Sequence, residues 1–140
     1  MYAPRPGRTG FSMQWCHGAP GVVTALADFP PQRSPAMEAL LIGAGHAIWK
    51  AGPLSKGHGL CHGTAGTGYA LLKLYRRTGD PLWLDRARAF AAHAIAQRAR
   101  MRQEYGRGRH TLWTGDPGPA VYAWHCLEGT AALPALDILQ

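Results

Sequence analysis

Two short turns in the sequence carry the same reactive residues: Trp15-Cys16-His17-Gly18, and then Leu60-Cys61-His62-Gly63 with its cysteine 45 positions further on. Thiolates and imidazoles are the donors zinc prefers, usually in sets of four around the ion. A cysteine just ahead of a helix is held as an anion by the unpaired amides and dipole of the helix start. Cys16, Cys61 and His62 supply two sulfurs and one nitrogen, which leaves a fourth position open for chemistry on an added ligand. With His17 as a fourth donor the site would instead be closed and structural. Zinc with two thiolates is neutral, so a third, incoming thiolate keeps its negative charge and its reactivity. The competing use of these residues is packing, with the cysteines as small buried hydrophobes and the histidines at helix ends. One buried cysteine per turn accounts for neither the adjacent histidines nor the flanking glycines, so the metal is the better reading. Cys126 lies away from either turn and reads as a core residue.

Something must bring two turns 45 residues apart into contact. A third turn, Trp113-Thr114-Gly115-Asp116-Pro117-Gly118, repeats the pattern with Thr114 standing where a cysteine would be. Turns at this interval, each with two helical patterns between, mark stacked helix pairs. Pro20 and Pro117 suit a first helical turn, and Pro119 is tolerable only in that same turn. The helix after the second turn places Tyr69, Leu72 and Tyr75 on one face and stops near Gly79. Asp80 caps and Pro81 opens the next helix, whose Trp83, Ala87, Phe90, Ala91, Ala94 and Ile95 form an apolar stripe. A similar helix runs from Ser34-Pro35 through Met37, Leu40, Leu41, Ala44 and Ile48 to about Lys50. Residues Gln103 to His110 are polar and glycine-rich and read as a loop. No segment alternates like a strand. The fold class is all-α: an arc of an α/α toroid or a short solenoid of helix-pair repeats, with the turns gathered at one end and apolar faces at its two limits. Residues 1–12 read as a loose leader and 13–140 as the domain.

Composition narrows the partners. The hydrophobic set is 46% and charged residues only 16% of 140 residues, which fits one folded unit and argues against disorder. The net charge of +7 favours anionic partners. The basic residues are dispersed, however, and Arg98, Arg100 and Arg102 read as a solvated helix face, so nucleic acid is not expected. No apolar run approaches the roughly 18 to 20 residues of a membrane span, and the start lacks the pattern of a signal peptide. Cytoplasm is the expected compartment, and three cysteines there do not make a disulfide framework. The remaining histidines, His46, His58, His93, His110 and His125, have no partner at a telling spacing; only His58 is close enough to the second turn to support it.

At the two Cys-His-Gly turns the sequence resembles the lanthionine synthetase C family and its LanC-like relatives: Trp15-Cys16-His17-Gly18 as the first signature, Gly59-Leu60-Cys61-His62-Gly63 as the second. The resemblance implies an α/α toroid of which this chain supplies the last few helix pairs. It implies zinc on Cys16, Cys61 and His62, activating a cysteine thiol for addition to dehydroalanine or dehydrobutyrine to give a thioether. It implies for His17 a place near the metal as proton donor or carbonyl stabiliser, against the plainer role of a helix-capping histidine. Lys56, five residues before Cys61, matches a lysine of glutathione-binding relatives and would place a cation by a carboxylate. The resemblance also implies a further histidine and an aspartate from helices before the first signature, and no His, Asp or Glu precedes Cys16 here. The expectation is therefore a partial or split form acting on a peptide with dehydroamino acids or a thiol such as glutathione, with a companion N-terminal chain. The alternative is a non-catalytic, zinc-stabilised helical module that binds a peptide, glutathione or a protein partner. A more distant one is another zinc-dependent toroid of the protein prenyltransferase kind.

Overall fold

The computed structural model describes residues 12–30 and 34–137. The leader expected over residues 1–12 lies, but for Ser12, outside the described residues. Among these residues there are five α-helices and no strand. A 3-10 turn at Trp15–His17 leads into α1 (Ala19–Leu26), followed by α2 (Pro35–Ala51), α3 (Thr64–Thr78), α4 (Pro81–Tyr105) and α5 (Pro117–Glu128). No helix among them is long and apolar enough to cross a membrane.

The helix starts follow local chemistry. Ser34 caps α2 by accepting from the Met37 amide, and Asp80 caps α4 by accepting from the Leu82 amide, each with proline in the first turn. Pro117 and Pro119 both fall in the first turn of α5, where neither removes a needed hydrogen bond. Gly79 ends α3 at φ 71°, a left-handed conformation that a side chain disfavours.

Helix α3 sits at the centre and packs against α1, α2, α4 and α5. Every residue from Thr64 to Leu74 is buried, all round the helix, where sequence periodicity marks only one face. Small residues make this possible. A Cβ at Gly68 would overlap the Tyr122 hydroxyl of α5, and that hydroxyl donates to the Ala87 carbonyl of α4 at 2.7 Å. Gly45 likewise lets α2 approach Leu74 and Trp83. Lys73, the one charged residue of that buried stretch, has its ammonium donating to Asp28 and Asp137.

The expected stripes need two corrections. On α4, Trp83, Ala87, Phe90, Ala91 and Ala94 are buried, but Ile95 is 51% exposed. Successive residues are about 100° apart on a helix, and the stripe continues through Gln97 instead. Gln97 accepts from the Thr64 hydroxyl at 2.6 Å and donates to the Leu54 carbonyl, so its burial leaves no unmet bond there. On α2, Leu41 and Ile48 are buried and Leu40 is 73% exposed. The loop expected from Gln103 begins instead at Gly106 (φ 67°), because Gln103 and Glu104 are good helix formers and the first glycine sets the stop.

Candidate metal centre

Three equivalent turns stack at the N-terminal ends of α1, α3 and α5, and the backbone fixes their register. The Cys16 amide donates to the Cys61 carbonyl at 3.1 Å, and the Cys61 amide donates to the Trp113 carbonyl at 2.8 Å. A second set of contacts gives the same alignment. A Cβ on Gly21, Gly66 or Gly118 would overlap the carbonyl oxygen six residues earlier, that of Trp15, Leu60 or Leu112. Position by position, Cys16 corresponds to Cys61 and to Trp113. The residue replacing the cysteine in the third turn is therefore Trp113 and not Thr114. Its ring packs on that of Trp15, with centroids 5.1 Å apart and planes tilted by 32°.

This ladder brings Cys16, Cys61 and His62 together. One ligand atom from each lies within 4.8 Å of the other two, and all three residues are partly buried. Around a tetrahedral zinc such atoms would be about 3.5–3.8 Å apart, a closing-in within reach of side-chain rotation. The helix start does not hold Cys61 as the anion expected from its position. Burial and the neighbouring Cys16 push the Cys61 thiol up from its ordinary value, with Lys56 pulling weakly the other way. Two apposed thiols that resist losing both protons in a bare protein are relieved of the conflict by a divalent ion. The group can hold a metal ion.

The other sequence candidates fall around this trio. His17 is exposed, with Nδ1 2.9 Å from the Cys16 sulfur. Lys56 is exposed and, with Gln14, Leu54 and Ser55, lines a cavity of about 460 Å³. Cys126 is buried on α5, its thiol pushed up to about 11 by burial, and does not belong to the cluster.

Local spacing missed partners of His46, on Arg86, and of His125, on Tyr69, and above all one beside the second turn. His58 is 4% exposed, and its Nε2 lies 3.1 Å from Oδ1 of Asp116, while Arg98 Nε donates to the other carboxylate oxygen at 3.1 Å. His58 thus has a partner after all, one that is 58 residues away. The contact joins the second turn to the third, and only the repeat register could have pointed to it. Burial alone would raise the Asp116 pKa, but Arg98 and His58 outweigh it and hold the carboxyl below its ordinary value. A depressed carboxylate stabilises the fold above its unfolded pKa, and that stabilisation is lost as pH falls through the folded pKa. Urea unfolding of Asp116→Asn at pH 7 and pH 3 should show lower stability than the parent at pH 7 and a smaller gap at pH 3. A gap that does not narrow in acid would rule this linkage out.

A family model for lanthionine synthetase C-like proteins matches residues 2–123. LanC-like protein GCL1 of Arabidopsis thaliana is 38% identical over 119 residues, which is 80% of this chain and 27% of that protein. Glutathione S-transferase LANCL1 of Danio rerio is 44% identical over 94 residues, 64% of this chain and 23% of that protein. The chain thus spans about a quarter of the length of these relatives. The match to the family model over most of the sequence, on a helical fold with a convergent Cys-Cys-His cluster, places the chain in the lanthionine synthetase C-like family.

Proposed function

We propose that Cys16, Cys61 and His62 hold zinc, and that this site presents a thiol for addition to a dehydroamino acid, forming a thioether. The observation that carries this reading is the convergence of two sulfurs and one imidazole within 4.8 Å in a LanC-like chain. Three protein donors leave one tetrahedral position for a substrate. Zinc bound there supplies a Lewis acid that lowers the pKa of the incoming thiol. The chain's own residues do the rest of what can be assigned. The two cysteine sulfurs offset the cation's charge, and His62 adds a neutral donor. His17, beside the Cys16 sulfur, would give a proton to the carbon next to the acceptor's carbonyl. Lys56, on the rim of its cavity, offers a cation to a carboxylate of the thiol. The zebrafish relative is a glutathione S-transferase, and glutathione is the thiol we favour here.

In this reading the helices form an arc of an α/α toroid, and further helix pairs, on the same or a companion chain, complete the ring. Val22 and Leu40 on one side and Trp124 and Leu127 on the other are exposed apolar residues that such neighbours would cover.

Cobalt substitution tests the open position directly. The Co²⁺-loaded chain should show intense visible bands of a tetrahedral site with thiolate charge transfer, and glutathione should strengthen the charge-transfer band. A tetrahedral spectrum that glutathione leaves unchanged would favour the closed, structural site, and no tetrahedral spectrum at all would remove the metal assignment.

A further inference from the structure

Arg98 and Arg102, which the sequence presents as part of a solvated face, line with Arg107 and Arg109 a common cavity of about 70 Å³. Tyr105 and Met101 complete its rim, and the buried His58 and the partly buried Asp116 form its inner wall. The backbone builds this arrangement. The Gly106 amide donates to the Arg102 carbonyl, ending α4, and the Asp116 amide donates to the Arg109 carbonyl at 2.8 Å, folding the loop back over the pocket. Four arginines and one carboxylate line the pocket, and both oxygens of that carboxylate are already engaged by His58 and Arg98. Among the described residues, Arg102, Arg107 and Arg109 form no ion pair.

Like charges gathered without a counter-charge destabilise a fold unless something offsets them, and the pocket has room for about two waters' volume, the scale of one small anion. Arginine's planar fork matches a tetrahedral oxyanion through paired hydrogen bonds, and a dianion offsets more of this charge than a carboxylate does. We infer that this pocket is a binding site for a phosphate group, separate from the metal cluster but resting on the same loop through His58. The group is carried either by free inorganic phosphate or by a small phosphate monoester.

Calorimetric titration of the zinc-loaded 140-residue chain with inorganic phosphate and with glycerol 3-phosphate tests this. Saturable one-to-one binding of at least one is expected. The exposed Arg102 and Arg109 can be changed without disturbing the core, and Arg102→Ala or Arg109→Ala should each weaken binding about tenfold or more. Arg100→Ala removes the same charge from the same helix outside the pocket and should leave binding unchanged. Tighter binding of the ester assigns the site to phosphorylated small molecules, and tighter binding of the inorganic ion to free phosphate; both uphold the pocket. Absence of saturable binding, equal weakening by Arg100→Ala, or acetate bound as tightly as phosphate would overturn it.

Discussion

Purified from zinc-supplemented cells, the 140-residue chain is expected to hold close to one zinc per molecule after gel filtration. The three proposed donors come from two turns, and each substitution removes one of them. Cys16→Ala, Cys61→Ala and His62→Ala should each lower zinc affinity by more than about 100-fold, beyond the 10- to 100-fold typical of losing an outer partner. Cys126→Ala, outside the cluster on α5, should leave zinc content unchanged and affect only stability. Elemental analysis of the four variants decides the assignment. Equal loss in all three cysteine variants would point to a general folding defect and against a ligand set. An ion that binds only the folded site stabilises it, so chelation should also lower the melting temperature, by an amount that grows with the logarithm of free zinc over its dissociation constant.

The second large effect is expected at a residue without a side chain. At Gly66 an added methyl would overlap the Leu60 carbonyl oxygen, with the Leu60 backbone behind it. Nothing flexible can move aside, and Leu60 immediately precedes Cys61 of the candidate metal group. Gly66→Ala should therefore cost about 3 kcal/mol or more and reduce zinc retention as well. Gly43 is the matched control, exposed on α2 with nothing within 4 Å of a new methyl. There alanine's better helix propensity should add up to about 1 kcal/mol. Urea unfolding with parallel metal analysis measures both. A neutral Gly66→Ala would mean that the first turn of α3 can retreat from the metal-binding turn, contrary to the packing described.

These two sites also show what the sequence can and cannot disclose. The helix starts are legible because their determinants are local: Ser34 and Asp80 bond to amides within three residues, and the prolines sit where helices tolerate them. The Cys16, Cys61 and His62 group is legible because the same turn recurs, so equivalent positions become neighbours. Legibility fails where the outcome depends on what a side chain meets across space. Ile95 and Leu40 are as apolar as their buried neighbours, and only the position of α3 decides which of them faces inward. Thr114 looks like the cysteine's replacement because it follows a tryptophan, yet the amide-to-carbonyl ladder gives that place to Trp113. The bond between His58 and Asp116 spans 58 residues and leaves no local pattern.

The ladder between the first two turns has a further consequence when the chain is viewed as a polymer. A metal shared by Cys16, Cys61 and His62 is a cross-link that closes a loop of 45 residues, and α1 and α2 both lie inside it. Closing a loop of that length removes chain entropy from the unfolded state worth about 4 kcal/mol when treated as a disulfide would be. Only Leu41, Gly45 and Ile48 of α2 are buried, so that helix has little interior of its own to hold it. The ion would thus steady a helix it never touches, by leaving the loosened chain fewer places to go.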